Sequence, residues 1–341
     1  MAVIIQGPNI LVRLPNWLGD TVMALPALQG LRASLPRARI ALVGRWASLL
    51  EGQAVADAVL SYPRERGARS RLAAVLRDSR PDTAIVLPSS FESALAAWRW
   101  GARARLGYDA DLRGCLLTHT LPIPSPRRHQ IDEYRELLEA GGVVTGSDPP
   151  TFRLPPHPVA EEAIDALFKK IGLAHGDSTV GLHLGAAFGS SKLWPPAAYA
   201  ELSSRLRRAG ALPVLLGAGS EEASAAAVIA SAGEDIASLV GRDRPDLLPR
   251  LLSRLSCLVS ADTGVAHLAA AVGTPTVTLF GPTDPRLTSP RGRRARAIEG
   301  RAPCAPCFLE RCPIDHPCMR SIEPTTVAAA TLTAVSEGQA A

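Results

Sequence analysis

Lysine is almost missing from this chain. Three of its 37 basic side chains, Lys169, Lys170 and Lys192, are ammonium groups, and all the others are arginine. In that background a lone lysine raises the question of what a compact point charge does there that a guanidinium does not. Aromatic residues are scarce as well, at 4%. With few platforms for stacking bases, and with basic residues dispersed along the chain, nucleic acid is not an expected partner. No apolar run approaches the roughly 20 residues that span a bilayer. The opening stretch, MAVIIQGPNILVRLPNW, has no basic segment followed by a small-residue cleavage site, so no secretory signal is read and a cytoplasmic location is expected. Two familiar glycine motifs are also missing. The corner after the first strand is PNWLGD rather than G-x-G-x-x-G, which argues against a nicotinamide dehydrogenase. In GAAFGSSKL two serines separate Gly189 from Lys192, and Leu193 stands where a P-loop needs a magnesium-binding hydroxyl. An NTPase is rejected.

What is present describes a globular chain of 341 residues, 47% hydrophobic and 20% charged, long enough for two domains. A net charge of +5 favours an acidic partner, either a phosphorylated small molecule or an anionic membrane face. Apolar strand-like runs at 9–14, 39–44 and 83–88 alternate with helix-like stretches at 21–34, 46–57 and 91–101. A Pro-rich break near 145–160 follows. The alternation then resumes, with strands at 178–185, 212–217, 257–262 and 276–281 and helices at 196–209, 221–232, 245–255 and 264–272. Alternation of this kind implies βαβ units and parallel sheets. The expected fold is α/β with two doubly wound Rossmann-like domains, 1–155 and 156–324, a C-terminal helix and tail over 325–341, and a ligand cleft between the domains at the carboxyl ends of the strands.

Chemistry-bearing residues fall at those strand ends. In ADTGVAH the strand ends at Asp262. Thr263 and Gly264 turn into a helix carrying His267, and a helix N-terminus is a ready anion site. Asp262 reads either as a helix cap or as part of a phosphate site, and His267 either as a packed histidine or as a donor to a pyrophosphate oxygen. Lys192 precedes another helix, as a phosphate-binding cation or a solvated loop residue. Glu221 and Glu222 follow a strand and a glycine turn, where an acid meets ribose hydroxyls, or they simply start a helix. In the first half, Asp20 sits at the PNWLGD corner. A carboxylate at the mouth of one domain and a phosphate site on the other suit group transfer, with the Asp20 carboxylate as general base on an acceptor hydroxyl and the other domain holding a diphosphate leaving group.

GDTVMALPAL, GSSKLWPPAAYAEL and ADTGVAHLAAAVGTPTVTLFGPTDP together resemble the ADP-heptose:lipopolysaccharide heptosyltransferase family, glycosyltransferase family 9, in order from Ile10 to about Val327. The PNWLGD corner, residues 86–108 and the cysteine-bearing 304–324 are nearer its type II than its type I members. The resemblance implies a GT-B fold and an inverting transfer of heptose from ADP-heptose to a heptose- or Kdo-bearing lipid A core, with no glycosyl-enzyme intermediate. The acceptor domain comes first and the donor domain second. By position, Asp20 matches the catalytic aspartate and Lys192 a lysine on the donor diphosphate. Glu221 matches a ribose-binding acid. Asp262, Thr263, Gly264 and His267 match the pyrophosphate and sugar segment, and the region of Asp243 lies beside adenine. No cofactor is required, with a divalent cation on the diphosphate as an option. Another family 9 transferase with a different sugar nucleotide or acceptor is the alternative.

Arg103, Arg105, Arg127 and Arg128 are candidates for binding a phosphorylated or carboxylated acceptor. Arg286, Arg291, Arg293, Arg294 and Arg296 are candidates for donor phosphate or anionic headgroups, or else solvated surface arginines. As a group the arginines point to peripheral attachment at the inner face of the cytoplasmic membrane. Cys304, Cys307, Cys312 and Cys318 form C-x2-C-x4-C-x5-C, a spacing that suits zinc or an iron–sulfur cluster. A metal-binding protein centred on them is the reading from a different class.

Overall fold

The computed structural model describes residues 5–174, 176–242 and 244–339. Asp243 lies outside them. The chain divides into two compact units, 1–151 and 152–341.

The first unit is a six-stranded parallel sheet made of β1 (Asn9–Arg13), β2 (Arg39–Gly44), β3 (Ala58–Ser61), β4 (Thr83–Val86), β5 (Ala104–Asp109) and β6 (His119–Pro122), in the order β3-β2-β1-β4-β5-β6. Leu11 of β1 lies between Ala41 of β2 and Ala84 of β4. These central strands are continuously apolar because helices cover both faces of a parallel sheet. Chain order reverses between β1 and β4, and the loops after these two strands diverge there to open a crevice.

The second unit repeats the plan with β7 (Thr179–His183), β8 (Leu212–Leu216), β9 (Ala237–Ser238), β10 (Cys257–Ala261), β11 (Thr276–Phe280) and β12 (Ala295–Glu299), ordered β12-β11-β10-β7-β8-β9. Its crevice falls between β7 and β10. Trp194 and Tyr199 pack edge to face at 5.0 Å in its core. Tyr199 donates to the His183 carbonyl at 3.0 Å, and Trp194 to that of Ile322 at 3.1 Å. The C-terminal helix Pro324–Gln339 packs on Pro196–Arg208 and on β10 and β11, so it belongs to this unit.

Several expected elements change. The helix expected over 46–57 is a single 3-10 turn, Ala47–Leu50, followed by turns through Gly52 and Ala54, both at positive φ, which a helix cannot hold. The helix expected at 21–34 begins earlier and is broken at Ala24 into Leu18–Met23 and Leu25–Ser34, with Pro26 in the opening turn of the second piece. That places Asp20 in the first turn of a helix. The helix Pro158–Lys170 starts inside the Pro-rich break. β3, β5, β6, β9, β12 and the helices Arg66–Asp78 and Gln130–Ala140 are additional to the expected set.

Candidate functional site

In the first unit a pocket of about 260 Å³ opens at the carboxyl ends of β1, β4 and β5. Asn16, Trp17 and Asp20 line it from the loop and helix after β1. Ser89 and Ser90 come from the loop after β4, Tyr108 from the end of β5, and Arg127, Gln130, Glu133 and Tyr134 from the helix Gln130–Ala140 and its approach. Hydroxyl and amide side chains share the lining with Pro15, Leu87, Pro88 and Ile123, and its charged groups are Asp20 and one ion pair.

That pair is tightly built. The Glu133 carboxylate is buried and accepts Nε and Nη2 of Arg127, each at 2.7 Å, and the backbone N–H of Arg128 at 3.1 Å. The bidentate contact with Glu133 raises the Arg127 guanidinium above its ordinary value. Tyr134 is wholly buried; burial first, and the charge of Asp20 second, push its phenol well up, so it remains a neutral O–H beside the carboxylate.

Beneath the pocket lies a buried cation that sequence reasoning missed. Arg13, the last residue of β1, is 0% exposed. Its guanidinium lies 4.0 Å over the Tyr62 ring and 3.8 Å from Glu92 Oε2. It donates to the Leu14 carbonyl through Nη1 and to Asn16 Oδ1 at 2.8 Å through Nη2. Burial lowers its pKa, opposed by Glu92. An arginine at the end of an apolar strand, NILVRL, was the available signal.

The four candidate acceptor arginines do not form one group. Arg127 lines the pocket, and Arg128 pairs with Glu136 at 3.5 Å. Arg103 and Arg105 sit at the amino end of β5, opposite to the pocket. Arg103 is exposed with only Asp82 at 3.9 Å, and Arg105 donates to the carbonyls of Leu116 and Ala102, each at 2.6 Å.

In the second unit the loops after β7 and β10 bring Lys192 and Asp262 together. Lys192 is buried in the 3-10 turn Ser190–Lys192. Its ammonium donates to Asp262 Oδ2 at 2.6 Å and to the Asp262 carbonyl at 2.9 Å, with the Phe188 ring 4.7 Å away. Thr283, from the loop after β11, donates to the same Oδ2 at 2.8 Å. The Asp262 carboxylate thus serves Lys192 and Thr283, and the capping position of the helix Gly264–Ala271 belongs to Thr263. Thr263 Oγ1 lies 3.0 Å from Ser260 Oγ, itself 3.3 Å from Nδ1 of His183, whose burial pushes the imidazole down to about 4. His267 is buried in the helix Gly264–Ala271. Glu221 ends the turn after β8, and a Cβ added at Gly185 would fall 3.1 Å from His183 Cε1 and 3.4 Å from Glu221 Cδ, so these three residues are neighbours. An ammonium has three donors; two are spent on Asp262, leaving one for a ligand oxygen.

The cysteine-bearing segment supports these loops. Ser191 donates through its N–H to the Glu310 carbonyl at 3.1 Å and through Oγ to that of Leu309 at 2.5 Å. Gly189 is required there, since a Cβ would fall 2.2 Å from the Glu310 oxygen. Cys307 and Phe308 N–H groups both donate to the Pro282 carbonyl, next to Thr283. All four thiols of the segment are free, and among the described residues no three His, Cys, Asp or Glu side chains are gathered to hold a metal ion. Among the arginines at 286–296, Arg286 pairs with Asp284, Arg294 donates to the Gly273 carbonyl and Arg296 pairs with Glu337.

Residues 69–317 match the model of glycosyltransferase family 9 (heptosyltransferase). The chain belongs to glycosyltransferase family 9. This family 9 glycosyltransferase is 30% identical over 304 residues to lipopolysaccharide heptosyltransferase 2 of Escherichia coli (strain K12), covering 85% of this chain and 87% of that one. It is 28% identical over 311 residues to lipooligosaccharide heptosyltransferase 2 of Haemophilus influenzae, covering 86% and 89%. The solved structure of E. coli ADP-heptose lps heptosyltransferase II superposes with a TM-score of 0.81 at 26% identity, over 97% of this chain and 99% of that one. The expected GT-B type, with two doubly wound Rossmann-like domains, is therefore the fold.

Proposed function

We propose that this glycosyltransferase moves heptose from ADP-heptose to the inner core of a lipopolysaccharide, with inversion at the anomeric carbon and Asp20 as general base. Asp20 takes the proton of an acceptor hydroxyl while that oxygen bonds to the anomeric carbon. The anomeric carbon's bond to the diphosphate oxygen breaks, and ADP leaves with the electron pair. Lys192, His267 and the N–H groups opening the helix Gly264–Ala271 take the charge that builds on the diphosphate. Thr263 and Gly264 admit its oxygens, Asp262 orients Lys192, and Glu221 accepts from the ribose hydroxyls.

The observation that carries this reading is Asp20 on the wall of a pocket suited to the polar edges and apolar faces of a sugar acceptor. Hydroxyl and amide side chains and the Arg127–Glu133 pair share its lining with the apolar surfaces of Trp17, Leu87 and Ile123. The names of the relatives support the donor and the acceptor class. A lipid-linked acceptor brings the enzyme to the anionic inner face of the cytoplasmic membrane. No helix among the described residues is long and apolar enough to cross it.

Calorimetry with ADP, UDP and GDP, followed by turnover of ADP-heptose on a heptose- or Kdo-bearing core, tests the assignment. Preference for ADP that is lost in Lys192→Ala is expected. Preference for UDP or GDP would keep the fold and overturn the donor.

A further inference from the structure

Arg13 is an expensive residue to keep. It ends a strand whose other buried members are Ile10, Leu11 and Val12, it is fully enclosed, and its Nε has no hydrogen-bond partner among the described residues. A buried guanidinium with an unsatisfied N–H is usually less favourable than an aliphatic side chain of similar size. Its remaining contacts say what it does. Nη1 holds the Leu14 carbonyl and Nη2 holds Asn16 Oδ1, both in the loop leading to Asp20, and the head faces Glu92 at the start of the helix Phe91–Arg99 that follows β4. Glu92 is fixed in turn by the Tyr62 hydroxyl and by Arg69 at 3.1 Å. Arg13 thus ties the loop after β1 to the first turn of the helix that follows β4.

A guanidinium has donors only. The atom of Asn16 that meets it must be the carbonyl oxygen, so one orientation of the amide is selected and the other excluded. Asn16 also lines the pocket. With its oxygen turned to Arg13, the group it offers on its other side is its NH2, with two donors. Resting on the acceptor assignment above, we propose that Asn16 donates to an oxygen of the acceptor sugar and fixes how that sugar lies against Asp20, and that Arg13 is the positioning residue that sets the Asn16 amide. Asn16 recognises the sugar, and Asp20, four residues on, receives its proton.

The test combines kinetics with direct binding, using ADP-heptose and a deacylated core oligosaccharide. Asn16→Asp keeps an oxygen for Arg13 and removes both donors. It is expected to raise the acceptor KM about tenfold, the loss of one useful hydrogen bond, with ADP affinity unchanged and the melting temperature not lowered, since a carboxylate strengthens the bond to Arg13. Arg13→Met should raise the acceptor KM by a similar factor, Arg13→Lys should return it toward wild type because an ammonium is also donor-only, and Arg13→Met combined with Asn16→Ala should be no worse in acceptor KM than Asn16→Ala alone. Unchanged acceptor KM in Asn16→Asp, or additive effects in the double variant, would overturn the proposal. Binding of the oligosaccharide, followed by saturation-transfer NMR, separates the two readings. If ADP-heptose is not turned over but the oligosaccharide binds and Asn16→Asp weakens it tenfold, the assigned reaction fails and the role of Asn16 stands. If the wild type does not bind the oligosaccharide, the proposal falls.

Discussion

The two domains share one strand order and place polar residues at the same topological position, yet they solve opposite electrostatic problems. The first domain presents a carboxylate, Asp20, in a pocket whose other carboxylate, Glu133, is neutralised by Arg127. The second presents a cation, Lys192, held by the Asp262 carboxylate below it. In each, an ion pair to a buried carboxylate fixes a charged side chain at the crevice. Doubly wound sheets bind at the crevice whatever the chemistry, and the chemistry is set by the few residues that the loops carry there.

Breaking the second domain's pair should have the largest effect on stability. Both side chains are buried, so Lys192→Met leaves an uncompensated carboxylate and is expected to cost about 3–5 kcal/mol, read by denaturant unfolding. Adding Asp262→Asn should recover most of the stability and none of the ADP binding. Full recovery of ADP binding would contradict the role given to Lys192.

Next comes a pH effect confined to the second domain. The folded-state pKa of His183 is pushed from 6.5 down to about 4 by burial. The unfolded chain therefore binds more protons between those values. The neutral imidazole's contribution is fully present above pH 6.5 and is lost as pH falls toward 4, about 3 kcal/mol in all. His183→Asn should flatten the fall of melting temperature over that window. An unchanged slope would show that His183 does not titrate in that way.

The smallest effects separate arginines that look alike in the sequence. Arg127→Ala exposes the buried Glu133 carboxylate and should cost about 2 kcal/mol while raising the acceptor KM. Arg103→Ala, at an exposed side chain, should change neither stability nor KM beyond error. Equal effects at both sites would mean that the acceptor contacts extend beyond the pocket.

These contrasts also show how much could be read from residue order. β1, β2, β4, β7, β8, β10 and β11 were legible because central parallel strands are continuously apolar. β3, β9 and β12 lie outside that core: β3 and β9 are short, β12 mixes arginine and glutamate with apolar residues, and all three are partly exposed. The helix Arg66–Asp78 buries only Ala73 and Leu76 behind its arginines. Lys192 and Asp262 stood out because strand ends attract function, but their pairing across 70 positions required the fold. Thr283, Ser260 and Glu133 gave no local signal, since each acts through a contact set by tertiary packing.

The division of labour is tested most directly by Asp20→Asn, which keeps the shape of the side chain and removes the base. Single-turnover rates with ADP-heptose and core acceptor, measured beside ADP affinity, are expected to show a loss of about 10²–10⁴ in the chemical step with ADP binding unchanged. A rate near that of the wild type would contradict the assignment of Asp20 as the general base.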